Sequence, residues 1–393
     1  MPSFAGCELQ ILAMLSDRSH LDWGQPPWKI DFAPPPHTAP NEADFAIIGG
    51  GFTGLAAAAW LRHLAPEISV VVLEAGSIGA GASGRTGGMA LGETASGDQP
   101  GLGDVLAGFS KVLSELKVEC DLSLTGAWEI GRSGGLAQSP IRWNDSGTLR
   151  VVKEVPGGTL DPGKLVSGLA RAAHRLGAQI CECHLVERID WAGVPEIYFA
   201  SGRLRARKIL FATNALSLNI TELVEGMHPR LTLAALTEPA TGEQLAAVGL
   251  TERKPFYTVD MPYLWGRVRE DNSIVWGAGL VQSPDERNLD GVNIAAPEPS
   301  KMFDTLERRV RGLDPALASI RFTRRWGGPI LFRDSWTPIF DWHPRSAKGN
   351  RSAIVLGAYA GHGVALSSYL GAWAAEALLS QRDLPPWGML SAE

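Results

Sequence analysis

Cysteine is scarce in this sequence. The chain has four cysteines in 393 residues, too few for a disulfide scaffold. Cys181 and Cys183 are spaced to share one face of a strand, and such a pair can bind a metal ion. No second pair and no well-spaced histidine accompanies them, so the sequence predicts buried free thiols and no metal site.

An excess of positive charge is also missing. Lys and Arg number 36 against 42 Asp and Glu, which gives a net charge of −6. A surface that binds nucleic acid is usually basic, so this balance argues against nucleic-acid binding. The sequence has no internal repeat, and its 45% apolar and 20% charged residues are ordinary for a globular chain with a sizeable core.

Long hydrophobic runs are absent as well. The run over 46–61 is apolar, but it holds four glycines and is shorter than the roughly 20 residues that a transmembrane helix needs. The first residues lack the basic segment and the sustained apolar segment of a secretory signal. We therefore expect a soluble, cytoplasmic protein without a transmembrane segment.

What the sequence does contain is a compact run of strand, glycine turn, helix and strand. Residues 45–48 form a short apolar run, and a glycine-rich turn follows at once over 49–54. Helix formers fill 55–61, and an apolar strand over 69–73 ends in Glu74. This order of elements is typical of a dinucleotide-binding unit.

Each glycine of the turn has a physical role in such a unit. Gly49 permits the tight turn, Gly51 lets the backbone approach a pyrophosphate, and Gly54 lets the helix lie close on the strand. The helix N-terminus offers free N–H groups to the phosphates. Glu74 lies 20 residues past Gly54, where an acid accepts hydrogen bonds from a ribose.

A second glycine-rich stretch, over 79–88, favours FAD over NAD. It is too rich in glycine for a helix and too long for an ordinary tight turn. Small residues in succession let the backbone pass closely over a flat ring or a phosphate. The alternative is a flexible surface loop, and Arg85 within it could serve the flavin loop or merely contact solvent.

These motifs resemble those of the D-amino-acid-oxidase-like FAD oxidoreductases, and most closely those of the gamma-glutamylputrescine oxidases among them. The resemblance covers about residues 20 to 380 and rests chiefly on 47–55, 81–88 and 357–366. Two weaker pieces are 212–215 and 325–328. The family implies an α/β fold of the glycine oxidase and D-amino-acid oxidase type, with a Rossmann-like FAD-binding domain and a substrate domain built on a mixed or antiparallel sheet.

The domains predicted on this basis are discontinuous. An N-terminal arm comes first, at 1–43, in which 9–15 could form a helical turn or two. The predicted FAD-binding domain comprises 44–125, 151–217 and 340–393, and the predicted substrate domain comprises 126–150 and 218–339.

Two local predictions concern the return to the FAD-binding domain. Asp161-Pro162 is a plausible helix start, because proline suits the first helical position, and Gly177 ends that helix. The residues from 178 to 189 then read as one strand. A further apolar strand ends in Thr213 and Asn214, and this position places both near the cofactor. The alternative is a simple strand-to-helix turn in which Asn214 caps the helix.

The resemblance and the motifs together give a set of FAD contacts. Val186 is implied by the family to touch the adenine ring. No cysteine stands where sarcosine-oxidase-like relatives attach their flavin, so noncovalent FAD is expected, with a histidine linkage left open. The predicted cofactor-binding residues are Gly49, Gly51, Phe52, Thr53, Gly54, Glu74, Ala75, Gly81, Ala82, Ser83, Gly84, Arg85, Thr86, Gly87, Gly88, Val186, Thr213, Asn214, Gly328, Gly361, His362, Gly363 and Val364.

Three residues are candidates for a role in the chemistry. Gly361-His362-Gly363 opens the closing helix, whose N-terminal N–H groups could stabilise negative charge on the reduced flavin, while His362 itself could move a proton or only pack. Tyr263 and Arg267 are expected, with Trp265, on one side of a substrate-domain strand that lines the pocket in relatives. Core packing is the alternative for the two aromatic residues.

The predicted function is the oxidation of the C–N bond of an amine to an imine by hydride transfer to FAD, with oxygen as acceptor. Alternatives are an amino-acid oxidase, a dehydrogenase that uses a quinone or carrier, and a non-catalytic flavoprotein subunit. The short segment over 133–147, which is longer in relatives, keeps the last alternative open. The oligomeric state is not predicted.

One position separates amines from amino acids. In glycine-oxidase-like relatives an arginine that holds the substrate carboxylate follows shortly after Trp-x-Gly, and Ile330 takes that place here. An isoleucine cannot pair with a carboxylate, and burying that charge unpaired is costly. We therefore expect an amine substrate without an adjacent carboxylate, unless Arg267 supplies the missing charge.

Overall fold

Two large β-sheets make up most of the structure, a computed structural model that describes residues 22–216, 218–283, 285–347 and 351–390. The strands in chain order are β1 (Glu42–Ile48), β2 (Val70–Leu73), β3 (Met89–Leu91), β4 (Ala127–Gly131), β5 (Trp143–Asn144), β6 (Thr148–Val155), β7 (Gly157–Thr159), β8 (Gln179–Cys181), β9 (Val186–Asp190), β10 (Glu196–Phe199), β11 (Gly202–Phe211), β12 (Met227–Pro239), β13 (Phe256–Thr258), β14 (Trp265–Val268), β15 (Ser273–Val281), β16 (Phe322–Arg333), β17 (Ile339–Trp342) and β18 (Ala353–Gly357). The α-helices are α1 (Phe52–Leu64), α2 (Val105–Leu116), α3 (Pro162–Arg175), α4 (Leu218–Thr221), α5 (Gly242–Ala247), α6 (Pro297–Leu313), α7 (Pro344–Ala347) and α8 (Gly363–Leu378).

The first sheet is built around the predicted strand–turn–helix–strand unit. Its order is β17-β18-β11-β1-β2-β8, and β10 and β9 extend it from β11. β1 pairs in parallel with β2 and β11, so Ile48, Leu73 and Phe211 end their strands side by side. Ligands bind outside the carboxyl ends of such strands, so this edge is where a site is expected.

Helices with small residues cover the first sheet. Residues 56–59 of α1 are alanines, and all are fully buried. α1 contacts both α8 and α3, and α2 contacts α8. A Cβ at Gly371 of α8 would lie 2.5 Å from the carbonyl oxygen of Thr53, so glycine is needed where α8 crosses the start of α1.

The second sheet joins two distant parts of the chain. Its order is β16-β12-β15-β14-β13-β4-β6-β5, antiparallel except for the parallel pair of β13 and β4. Trp143, Phe256 and Trp276 pack against one another in its core, with ring centroids 5.0 to 5.4 Å apart. The α/β architecture with a mixed, mainly antiparallel second sheet is therefore confirmed, whereas the exact domain boundaries stay a prediction.

The described part of the N-terminal arm, 22–41, is tied down by tryptophans. Trp23 donates its indole N–H to the carbonyl of Val292 at 2.9 Å, and Trp28 donates to the carbonyl of Gly84 at 2.6 Å. Gly24 bridges to Trp326 of β16. The arm thus connects the glycine-rich loop to the second sheet, while the helical turn predicted over 9–15 lies outside the described residues.

One local prediction is confirmed and another is wrong. The Asp161 side chain accepts the N–H of Lys164 at 2.9 Å, and α3 begins at Pro162 as expected. The single strand predicted over 178–189 is instead two strands, β8 and β9. Cys183 lies between them with φ +61°, a left-handed conformation that no strand can contain. Cys181 is buried and Cys183 is half-buried.

The prediction that Tyr263, Trp265 and Arg267 share one face of a strand is also wrong in part. β14 begins only at Trp265, so Tyr263 precedes the strand.

No helix in the part of the chain that the structure describes has the length and hydrophobicity of a membrane span. The same residues contain no group of three or more His, Cys, Asp or Glu that could hold a metal ion.

Candidate active site

A cavity of about 1850 Å³ is lined by residues of both sheets. It reaches the carboxyl ends of β1 and β2 at Ile48 and Leu73, and it continues past the glycine-rich loop to the start of α8. On the second sheet it touches β12, β13, β15 and β16. The predicted cofactor residues and the expected ligand edge of the first sheet therefore meet in one space.

The glycine turn between β1 and α1 has the geometry that its sequence predicts. Gly49 has φ +112°, and a Cβ there would lie 2.7 Å from the carbonyl oxygen of Ala212. A Cβ at Gly54 would overlap the carbonyl oxygen of Gly49, so glycine is required where α1 lies on its strand. The N-terminus of α1 at Phe52 and Thr53 lines the cavity and presents the positive end of the helix dipole to it.

Ser83 fixes the glycine-rich loop over this turn. Its hydroxyl accepts the backbone N–H of Phe52 at 2.9 Å, and a Cβ at Gly51 would lie 2.7 Å from the same oxygen. The loop is held further by the N–H of Gly79, which donates to the carbonyl of Gly50. The loop is thus packed on the turn and lines the cavity, and no local motif identifies Ser83 as a hydrogen-bond partner of the α1 N-terminus.

Glu74 closes the other side of the turn. Its carboxylate accepts the N–H groups of Gly50 at 2.7 Å and Gly76 at 2.9 Å, and it lines the cavity. Burial raises the pKa of Glu74, and the nearby Glu182 acts in the same direction, while the backbone N–H groups oppose them. A half-buried carboxyl group with acceptor capacity to spare is what a ribose hydroxyl would use.

Arg85 ties the glycine-rich loop to the rest of the molecule. Its guanidinium donates to the carbonyl oxygens of Trp23, Gly24 and Gly327 at 2.8 to 3.2 Å. Burial lowers the pKa of Arg85. The indole N–H of Trp326 donates to the carbonyl of Arg85 at 2.9 Å. Arg85 therefore holds the loop against the arm and β16, and its part in binding the flavin stays a prediction.

The far end of the cavity is formed by the turn before α8. Ala358 and Ala360 have φ values of +57° and +48°, which are unusual for residues with a side chain. The turn is held because the side-chain oxygen of Asn214 accepts the N–H of Ala358 at 2.9 Å. The Tyr359 hydroxyl and the Thr53 hydroxyl are 2.8 Å apart, which links the turn to α1. Tyr359 lines the cavity and was missed as a site residue.

His362 stands at the start of α8 and lines the cavity. Its Nδ1 is buried and has no hydrogen-bond partner among the described residues. Burial lowers the pKa of His362, against the opposing effect of a hydrogen bond that the ring donates to the backbone of Ala360, and this favours the neutral ring. A neutral ring with a free nitrogen fits both roles considered for this residue, proton transfer and packing.

Most predicted site residues line the cavity, and the exceptions have clear positions. Gly54, Gly84 and Gly88 lie behind it, where each packs on a backbone carbonyl oxygen. Tyr263 lines the cavity from the loop before β14. The predicted cofactor residues that line it are Gly49, Gly51, Phe52, Thr53, Glu74, Ala75, Gly81, Ala82, Ser83, Arg85, Thr86, Gly87, Val186, Thr213, Asn214, Gly328, Gly361, His362, Gly363 and Val364.

Arg267 is the candidate that the structure does not bring to the cavity. It is 7% exposed and lies beside Gly88, with its guanidinium 5.8 Å from the Trp28 ring centroid. Burial lowers the pKa of Arg267 to about 10. It makes no ion pair among the described residues, and its Nε has no hydrogen-bond partner there. Its position does not support contact with a substrate carboxylate.

These features fit FAD. The turn at Gly49 and Gly51 has no side chain between the backbone and the cavity, the N-terminus of α1 is available for phosphates, and Glu74 is placed for a ribose. The chain also matches the family model described as "FAD dependent oxidoreductase", DAO, over residues 44–377. The chain belongs to this family. FAD is accordingly its cofactor, as the motifs predicted.

Relatives place the chain within the family. It is 26% identical over 380 residues to gamma-glutamylputrescine oxidoreductase of Escherichia coli (strain K12), covering 85% of this chain and 83% of that protein. Glycine oxidase from Geobacillus kaustophilus has a similar structure, with a TM-score of 0.67, 18% identity and coverage of 88% and 96%. L-amino acid deaminase from Proteus myxofaciens gives a TM-score of 0.68, 14% identity and coverage of 93% and 96%. The two structures show a shared fold.

Three further polar residues of the cavity wall were not found from the sequence. They are Glu93, Glu129 and Tyr257, which stand on separate elements and belong to no motif. Only the pairing of β4 with β13 brings the last two together. No spacing in the sequence could have indicated this group.

Proposed function

We propose that this FAD-dependent oxidoreductase oxidises the C–N bond of a primary or secondary amine, with oxygen as the electron acceptor. Bound FAD supplies the acceptor for the hydride that leaves the carbon next to the nitrogen. The chain's own residues bind the cofactor, shape the cavity and stabilise charge in it. The free N–H groups in the first turn of α8, at Gly363 and Val364, stabilise negative charge that develops at that end of the cavity.

One observation carries the preference for an amine over an α-amino acid. Among the described residues, no arginine that lines the cavity is both buried and free to pair with a carboxylate. Arg85 donates to three backbone carbonyls, Arg309 pairs with Asp145 at 2.6 Å, and Arg287 is exposed at the mouth. Ile330 lines the cavity at the position where an arginine was considered. Lys301 also lines the cavity but is exposed, so a carboxylate bound beside Ile330 would have no buried cation to pair with, which is costly.

Anaerobic stopped-flow reduction of the bound flavin tests the proposal. We expect a primary or secondary amine to reduce the flavin faster than glycine, sarcosine or any D-amino acid. Ile330→Arg places a guanidinium at the cavity wall and should shift the preference towards amino acids. Arg267→Ala tests the alternative directly, and we expect it to leave the preference unchanged because Arg267 lies outside the cavity. If glycine, sarcosine or a D-amino acid reduces the flavin clearly faster than the amines, and Arg267→Ala abolishes that preference, the substrate is an amino acid held by Arg267.

The acceptor and the competing interpretations need separate measurements. Hydrogen peroxide release in air supports oxygen as the acceptor, whereas turnover only with a quinone or carrier protein would make the enzyme a dehydrogenase. A flavin that no amine and no amino acid reduces would favour a non-catalytic subunit. A cytoplasmic location stays a prediction from the sequence, to be tested by fractionation of the native cells.

A further inference from the structure

Three polar side chains lie together on the cavity wall, two of them on strands of the second sheet. Glu93 follows β3, Glu129 lies in the middle of β4, and Tyr257 lies in the middle of β13. β13 and β4 run parallel with Tyr257 in register with Glu129, and the Tyr257 hydroxyl donates to Oε1 of Glu129 at 3.0 Å. Two carboxylates and one hydroxyl thus face the same space.

Glu93 and Glu129 carry unpaired carboxylates in the part of the chain that the structure describes. Neither forms an ion pair among the described residues, and both are half-buried. Lys153 is in register with Glu129 but is exposed and makes no ion pair with it. Burial raises the pKa of Glu93, and the charges of Glu129 and Asp98 raise it further, against the opposing effects of Lys153 and the Tyr257 hydroxyl. A cation in the cavity would relieve this repulsion.

The surroundings strengthen the attraction for a cation. Tyr257 belongs to an apolar cluster with Leu91, Ala127 and Val155, against which Met89 and Trp265 pack. A charge pair at the edge of such a cluster is screened less than in water. A Cβ at Gly87 would overlap the Trp265 ring, so this ring connects the cluster to the glycine-rich loop. The carboxylates therefore stand near the loop that the flavin is expected to use.

We propose that Glu93 and Glu129, joined through Tyr257, hold an ammonium group of the substrate and so select cationic amines over substrates that carry a carboxylate. This specificity rests on the proposed function of the same cavity. The two negative charges attract an ammonium group and repel the carboxylate of an amino acid. The Tyr257 hydroxyl fixes the orientation of Glu129, so Tyr257 is a positioning residue.

Binding of a cation that cannot be oxidised tests the charge preference without turnover. Tetramethylammonium has a fixed positive charge and no nitrogen lone pair, so it cannot be converted to an imine. We expect Glu93→Gln and Glu129→Gln each to weaken its binding to the holoenzyme by about tenfold, since each removes a charged partner and keeps the side-chain shape. Tyr257→Phe should weaken it less, and isothermal calorimetry measures all three.

The matched control is Glu298→Gln. Glu298 also lines the cavity, but it is exposed in the first turn of α6 and belongs to no such group. We expect this variant to bind tetramethylammonium within about twofold of the wild type, because an exposed charge is screened by solvent. If the wild type does not bind the probe, or if both glutamine variants bind it as well as the control does, the proposal is overturned.

Two substrates distinguish which ammonium is held. In anaerobic flavin reduction we compare 1,4-diaminobutane with 1-aminobutane, which has the same length and one nitrogen. If the glutamine variants weaken apparent binding of the diamine alone, the carboxylates hold a second ammonium; if they weaken both, they hold the reacting one. Either result supports the proposal. If no amine reduces the wild-type flavin, the proposed function fails, while the tetramethylammonium titration still decides the charge preference.

Discussion

Glu74 shows how one side chain can serve both the fold and the cofactor. Its two oxygens hold the N–H groups of Gly50 and Gly76, which fixes the turn and the end of β2. The same carboxylate lines the cavity where a ribose is expected. A substitution at Glu74 therefore needs a control that separates loss of structure from loss of a cofactor contact.

Glu74→Ala should weaken FAD binding by roughly 1–3 kcal/mol, because a buried polar contact is lost. Titration of the apoprotein with FAD, followed by flavin fluorescence, measures this. Glu182→Ala is the control, since Glu182 accepts the N–H of Ile78 at 2.7 Å but does not line the cavity. It should lower thermal stability and leave FAD affinity unchanged. Equal FAD affinity in wild type and Glu74→Ala would contradict the ribose assignment.

At the scale of elements, the glycines at the start of α1 have different tasks. A Cβ at Gly54 would overlap the backbone of Gly49, which cannot move without separating α1 from β1. A Cβ at Gly51 would meet the hydroxyl of Ser83, the end of a small side chain that can turn away. The first position therefore serves the fold, and we expect the second to serve the approach of the cofactor.

Gly54→Ala and Gly51→Val should separate these tasks. We expect Gly54→Ala to destabilise the apoprotein by about 1–3 kcal/mol through overpacking. Gly51→Val should leave apoprotein stability closer to the wild type but reduce FAD affinity more than Glu74→Ala does, because a branched side chain occupies the place of the pyrophosphate. Thermal unfolding of the apoproteins and FAD titration measure the two effects. Normal FAD affinity in Gly51→Val would mean that the turn has been misinterpreted.

The described part of the N-terminal arm, 22–41, is the second element whose contacts bear on the cofactor site, because it holds the glycine-rich loop. Trp28 is buried against Trp326 and donates to the carbonyl of Gly84 in the glycine-rich loop. Trp28→Phe keeps an aromatic ring and removes that hydrogen bond, worth about 1 kcal/mol. We expect the dissociation constant for FAD to rise about fivefold. Trp373→Phe, which loses a similar bond to Asp383 far from the loop, should not change it. An equal effect in both variants would show a general loss of stability instead.

For the whole molecule, we expect FAD binding in the cavity to raise the free energy of unfolding. Residues of both sheets line the cavity, and a dinucleotide that binds the folded chain but not the unfolded chain favours the folded state. At one hundred times its dissociation constant, FAD should stabilise the apoprotein by about 2.7 kcal/mol. Thermal unfolding should show a higher melting temperature with FAD and no change with NAD at the same concentration. A similar rise with NAD would contradict the preference for FAD.

The sequence by itself determined the features that depend on neighbours along the chain. The glycine turn, the acid after β2 and the start of α3 at Pro162 are set by backbone conformation and local hydrogen bonds, so their spacing was enough to predict them. The tertiary structure decided which residues of distant strands come into contact, because that depends on how the strands pair in a sheet. Tyr257 and Glu129 meet although they are 128 positions apart, and Arg267 is buried outside the cavity although Trp265 of the same strand lines it. Which face of a strand is buried depends on what packs there, and short-range patterns in a sequence do not contain that information.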